Sequence, residues 1–251
     1  MEAMVSQVLR RGAIAGITLL VLEAAYAVLR PGPHLEHFDP SGEFGDPASP
    51  TLRVAVLGDS SVTAPGVTGP HEIWVSLVCA RLAETRHIVL RSFAVGGSRA
   101  HDVIAGQLEG AIAFAPDVVF VSVGANDVIK GVSLRRFEAN LDQLIGSLTD
   151  TGARVILTGV GVIGTIPRLY PPLSSLMSRR AHRFDRVHWR VAQAHGADVI
   201  DQRADDARIW NTDRTLWAAD YFHVSAAGHA RWADTAWRTV EPLMNGSRES
   251  G

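Results

Sequence analysis

The sequence predicts an α/β protein, a three-layer α/β/α sandwich around a mostly parallel, five-stranded sheet. Three observations predict it. Five short runs rich in Val, Ile and Leu alternate with longer stretches of helical periodicity. Those runs are nearly continuous in apolar residues, the mark of strands covered on both faces. Polar residues suited to chemistry fall directly behind several of the runs, where open α/β sheets bind their ligands.

The first element is unlike the rest. Arg10-Arg11 precede the uncharged "GAIAGITLLVL", followed by Glu23 and "AAYAVL". A basic flank before an apolar stretch reads as an export signal. Residues 1–29 are therefore expected to be a signal peptide, with Ala25-Tyr26-Ala27 as a small-x-small cleavage site, or a signal anchor. Eighteen helical residues (12–29) reach roughly 27 Å, marginal against a bilayer core of about 30 Å. An amphipathic helix on the domain surface is the alternative. The domain is expected to be exported, either secreted or held at a membrane. Residues 30–50, with five prolines and three glycines, read as a linker, which puts the folded domain at 51–245.

Strands are expected at 52–57, 88–94, 117–123, 153–160 and 197–201, and helices near 71–85, 102–114, 133–150, 174–195 and 225–243. Ser133 and Ser225 precede apolar periodicity and read as N-caps. At 251 residues and 47% hydrophobic content the chain can bury a core. A net charge of −2 without a Lys/Arg stripe excludes nucleic acid as a principal partner. Cys79 is the single cysteine, so no intramolecular disulfide exists, and its apolar helical setting makes it a buried, inert thiol.

Gly-Asp-Ser alone is ordinary turn chemistry. That reading would have to hold independently at four places: Gly58-Asp59-Ser60, Val95-Gly96-Gly97-Ser98, Gly124-Ala125-Asn126-Asp127, and the late loop containing Asp220 and His223. A nucleophilic reading unites them. A serine needs a base to remove its proton, and histidine serves best when a carboxylate fixes its tautomer. Asp220 and His223 are three apart, close enough for one tight turn to join them. The tetrahedral oxyanion formed on attack needs donors, and the Ser60 N–H, the Gly97 N–H and the Asn126 amide supply three.

These residues resemble the SGNH (GDSL-like) hydrolases, whose four blocks read here "LGDSS" (Ser60), "AVGGS" (Gly97), "GAND" (Asn126) and "DYFH" (Asp220, His223) over about residues 52–243. The resemblance implies a flavodoxin-like sheet, no metal or other cofactor, and cleavage of esters or thioesters through an acyl-serine. It puts the nucleophile on Ser60, the base on His223 and the orienting acid on Asp220. The sequence departs from the family pattern at Ser61, where leucine is common, and at Val224, where a proline often follows the histidine.

The substrate expected is a small or lipid-like carboxylic ester of short to medium acyl chain. Lysophospholipase or thioesterase action and carbohydrate O-deacetylation are alternatives, as is a non-catalytic ligand-binding domain. Ile163, Ile166, Leu169 and Tyr170, behind the fourth strand, are candidates to line an acyl pocket. A metallophosphoesterase would carry an early Asp-x-His pair and a histidine after its Asn, where Asp127 stands. The Gly-x-Ser-x-Gly elbow of α/β-hydrolases is missing around Ser60. Asp59 and Asp127 are expected to support their neighbours by hydrogen bonding. Asp102 is expected at a helix N-terminus, His229 as a structural or exposed residue, and His182 and His188 on a solvated helix face.

Overall fold

The computed structural model describes residues 2–203 and 207–245; Met1, part of the expected leader, lies outside them. Its strands are β1 (Gly42–Phe44), β2 (Thr51–Gly58), β3 (His87–Ser92), β4 (Val118–Ser122), β5 (Arg154–Thr158) and β6 (Asp198–Ile200). The helices are α1 (Glu2–Leu29), α2 (Ser60–Thr63), α3 (Trp74–Leu82), α4 (Ala100–Gly106), α5 (Leu108–Ala113), α6 (Ala125–Ile129), α7 (Leu134–Thr149), α8 (Leu173–His195), α9 (Ala207–Thr212) and α10 (Ala226–Asn245).

The sheet runs β1-β3-β2-β4-β5-β6. Every pairing from β3 to β6 is parallel, and β1 alone is antiparallel. Without β1 the order is that of flavodoxin-like sheets, whose direction of winding reverses between β2 and β4, the place where such folds bind ligands. Side chains of a strand alternate between faces, and two apolar layers result. Ala55, Leu57, Val119, Val121, Val155 and Leu157 pack under α4, α5, α7 and α8. Val54, Val56, Phe120, Ile156 and Ile200 pack under α3 and α10, with Cys79 fully buried among them.

Three expectations need correction. Among the described residues the sheet has six strands, and residues 37–44, expected as linker, belong to the folded domain. Gly42, Glu43 and Phe44 pair with Leu90, Val89 and Ile88, and the Phe38 N–H donates to the Thr63 carbonyl at 2.8 Å. A three-residue edge strand among prolines carries no apolar run, so only its long-range pairing reveals it. The helix expected at 102–114 is two, α4 and α5, which meet at Gln107, a buried residue whose side chain is bonded to the backbone of Gly58. His188 is buried rather than solvated: its ring nitrogens bond the Phe184 and Val123 carbonyls at 3.1 and 3.0 Å. Ser133 caps α7 and Asp102 closes the first turn of α4, in agreement with their sequence positions.

Candidate active site

Four loops at the carboxyl edge of the sheet build the site. Behind β2 the chain turns at once into the single turn α2. Asp59 caps it, its Oδ1 accepting the Ser61 N–H at 2.9 Å, and this places Ser60 at the first helical position facing a pocket. Gly58 is required by proximity, since a Cβ there would stand 2.3 Å from the Ser122 carbonyl oxygen on β4. Gln107 grips Gly58 from both sides: its Oε1 accepts the Gly58 N–H at 2.8 Å, and its Nε2 donates to the Gly58 carbonyl at 2.9 Å. The same amide reaches Ser98 Oγ at 3.2 Å, tying the β2 loop to the Gly97 loop. Gly97 adopts φ +80°, a left-handed conformation that favours glycine, and the Lys130 ammonium donates to its carbonyl at 2.8 Å.

Behind β4, Asn126 lies in the first turn of α6. Its Nδ2 donates to Asp59 Oδ2 at 2.9 Å, which holds the amide and leaves its second hydrogen for another acceptor. Burial pushes the Asp59 carboxyl above its usual range, against the lowering effect of its bonds from Ser61 and Asn126. Asp127 is also buried. Its Oδ2 accepts the Ala100 N–H at 3.0 Å, its Oδ1 has no hydrogen-bond partner among the described residues, and burial raises its pKa to about 6.

The late loop closes the arrangement. Asp220 Oδ2 and His223 Nδ1 are 2.7 Å apart, while Asp220 Oδ1 accepts the N–H groups of Phe222 and His223 at 2.9 and 3.0 Å. Burial would raise the Asp220 pKa, but the His223 ring and the two N–H groups outweigh it and hold the carboxyl at about 2. An ionised Asp220 makes Nδ1 the protonated nitrogen of a neutral ring, leaving Nε2 with its lone pair. The absent proline is no obstacle: Val224 forms a bridge with Trp217. Gly66 approaches so closely that a Cβ would stand 2.1 Å from the Val224 oxygen, which docks the late loop on the Ser60 loop.

Ser60, Asn126 and His223 line one pocket of about 130 Å³, together with Ile163, Ile166 and Trp217. Leu169 and Tyr170 are not among its lining residues. Leu169 packs on the core, and Tyr170 is 48% exposed with its ring 6.2 Å from that of Tyr26. Ser61 lines the same pocket, but its hydroxyl is taken up by a neighbour. Its hydroxyl stands 2.6 Å from Ser122 Oγ, which in turn accepts from Thr158 at 2.8 Å. His229 is buried at the pocket wall: its Nδ1 takes the Trp74 N–H at 3.4 Å, and burial, then the neighbouring His223, lower its pKa to about 3.

Sequence reasoning missed Gln107, the Ser122–Thr158 pair and the tryptophans Trp74, Trp210, Trp217 and Trp232 that join the pocket wall. Only the polar residues closing β4 and β5 gave a signal, as hydroxyls at the ends of otherwise apolar strands.

The GDSL-like lipase/acylhydrolase family model matches residues 56–231. The chain belongs to that family. It is 26% identical to Esterase TesA of Pseudomonas aeruginosa over 193 residues, 75% of this chain and 88% of the relative. Among solved structures, the crystal structure of TesA superposes with a TM-score of 0.64 at 24% identity, covering 76% of this chain and 99% of the other. An acetyl-xylooligosaccharide esterase from Geobacillus superposes with a TM-score of 0.63 at 23% identity, over 76% and 95% of the two chains. Both structures share the fold. Family membership makes this GDSL-like hydrolase a carboxylic ester hydrolase.

Proposed function

We propose that the chain cleaves short- to medium-chain carboxylic esters through an acyl-serine on Ser60. The observation that carries the reading is the 2.7 Å Asp220–His223 pair facing the pocket that also holds Ser60 and Asn126. His223 Nε2 takes the Ser60 proton as Oγ attacks the ester carbonyl, and returns it to the leaving alcohol. Water then attacks the acyl-serine with His223 again as base. The Ser60 N–H, the Gly97 N–H and the free hydrogen of the Asn126 amide take the oxyanion. Asp59 positions Asn126, and Asp220 orients the His223 ring and stabilises the imidazolium.

The pocket's modest volume and its Ile163, Ile166 and tryptophan walls favour a short acyl group. A fluorophosphonate probe followed by peptide mass spectrometry tests the assignment. Label on Ser60 is the expected result, and label on Ser61 would overturn it. The proposal includes export through the N-terminal segment, which cell fractionation tests: full-length, uncleaved protein confined to the soluble cytoplasm would refute it.

A further inference from the structure

The chain has three tyrosines, in three separate segments, and all three gather beside the catalytic loop. The Tyr26 and Tyr170 rings are 6.2 Å apart. The Arg30 guanidinium lies 5.9 Å from the Tyr26 ring and 5.1 Å from that of Tyr221, the residue after Asp220. Arg168 fastens the group. It donates to the carbonyl of Arg30 and, at 3.3 Å, to that of Asp220, while its own N–H meets the Tyr221 carbonyl at 3.1 Å. Glu23, the one charged residue between Arg11 and Arg30, accepts the Leu173 N–H at 3.0 Å, at the start of α8. The carboxyl end of α1 is thus pinned to the start of α8 by Glu23.

Ahead of that pin, α1 exposes what a water-facing helix hides. Ile14, Ile17, Val21 and Leu22 are each more than half exposed, and Leu19 nearly so. Successive residues turn about 100° around a helix, so these positions spread over more than half its circumference. A partner helix covers one stripe; lipid covers all sides. Tyrosine and arginine at the neck are the residues that favour the headgroup layer. Among the described residues no helix is long and apolar enough to cross a membrane. Burying the exposed apolar side chains of α1 requires only that it enter a bilayer.

We propose that α1 and the tyrosine cluster form a bilayer-binding surface that sets the mouth of the catalytic pocket against the headgroups. The matching substrate class is an ester with its alcohol portion in the leaflet and its acyl group offered to Ser60. This deepens the proposed function and rests on it.

The test uses the full chain and vesicles of phosphatidylcholine and phosphatidylglycerol in equal parts. Two substrates share one acyl group: p-nitrophenyl butyrate in solution and hexadecyl butyrate embedded in the vesicles. The native chain is expected to float with the vesicles and to cleave both. Val21→Glu combined with Leu22→Glu is expected to abolish flotation, to cost about tenfold or more on hexadecyl butyrate, and to leave the soluble ester within about twofold. Orientation is read from fluorophores on Leu176→Cys, exposed in the first turn of α8 where Glu23 is bonded, and on Glu84→Cys, just ahead of β3 at the opposite edge of the sheet. Cys79 is buried and does not label. A headgroup spin label should quench position 176 and spare position 84. A native chain that does not float, a soluble dimer through α1, equal loss on both esters, or quenching at position 84 would each overturn the proposal. Flotation without butyrate ester hydrolysis in any form would support the surface and strike the catalytic reading instead.

Discussion

Ser60 and Ser61 are chemically identical and adjacent, and the fold separates them by hydrogen bonding. Both line the pocket, but the Ser61 hydroxyl is committed to Ser122. Mutant kinetics follow from that division. Ser60→Ala and His223→Ala should each lower kcat by on the order of 10⁴-fold or more, and the double variant should lose little further, because the two act as a unit. Asn126→Ala removes one of the three proposed oxyanion donors and should cost roughly 10²–10³-fold in kcat with a smaller change in KM. Asp127 makes a prediction about pH. Burial raises its folded pKa to about 6 from an ordinary 3.8, so between those values the folded protein binds the extra proton and stability falls as pH rises. Asp127→Asn cannot ionise and keeps an acceptor for the Ala100 N–H. Thermal melts should therefore show the native protein losing ground to the variant from about pH 4 to pH 7; a difference that is flat with pH would show that Asp127 is not held protonated.

At the scale of elements, the stretch between α1 and β2 changes role. Its length crosses the active-site rim: a Cβ at Gly32 would lie 3.5 Å from that of Asp220, and His37 Nδ1 bonds Thr63 Oγ1 at 2.6 Å, three residues beyond Ser60. Deleting residues 1–36 should leave the sheet intact. Deleting 1–45 removes β1, bares the edge of β3 and releases Thr63, so a lower melting temperature, weaker ester hydrolysis and aggregation are expected. Equal melting temperatures for the two truncations would show that β1 contributes nothing. The sequence made the five parallel strands legible because strands buried on both faces are apolar throughout, as in "VAVL" and "VVFV". The Asp220–His223 pair was legible because its spacing is local. β1, Gln107 and the tryptophan walls were not, since each acts through partners forty or more residues away or through burial that no local pattern encodes. His188 misled for the same reason: it stands in an arginine-rich stretch, whereas its neighbour in space is the end of β4.

At the scale of the whole molecule, the sheet divides the core into two apolar layers, with Trp232 packing against both, and the site stands on the edge common to the two. Leu144 lies in the layer under α7 and Leu90 in the layer under α3, and both are almost wholly buried. Neither lines the pocket. Leu144→Ala and Leu90→Ala should each destabilise by about 2–5 kcal/mol through lost burial and residual cavity. Their effects should add to within about 0.5 kcal/mol, because the two sites lie on opposite faces and share no partner. Well below the melting transition, kcat on a soluble ester should stay near the native value. The catalytic loops are held by their own bonds: Gln107 to Gly58, Asp59 to Asn126, and Asp220 to its N–H donors. Denaturant titrations of the two single variants and the double variant, with rates measured on the same preparations, decide the matter. Strong non-additivity, or a collapse of kcat in protein that is still folded, would mean that the layers and the site are one mechanical unit rather than a scaffold carrying a self-supported edge.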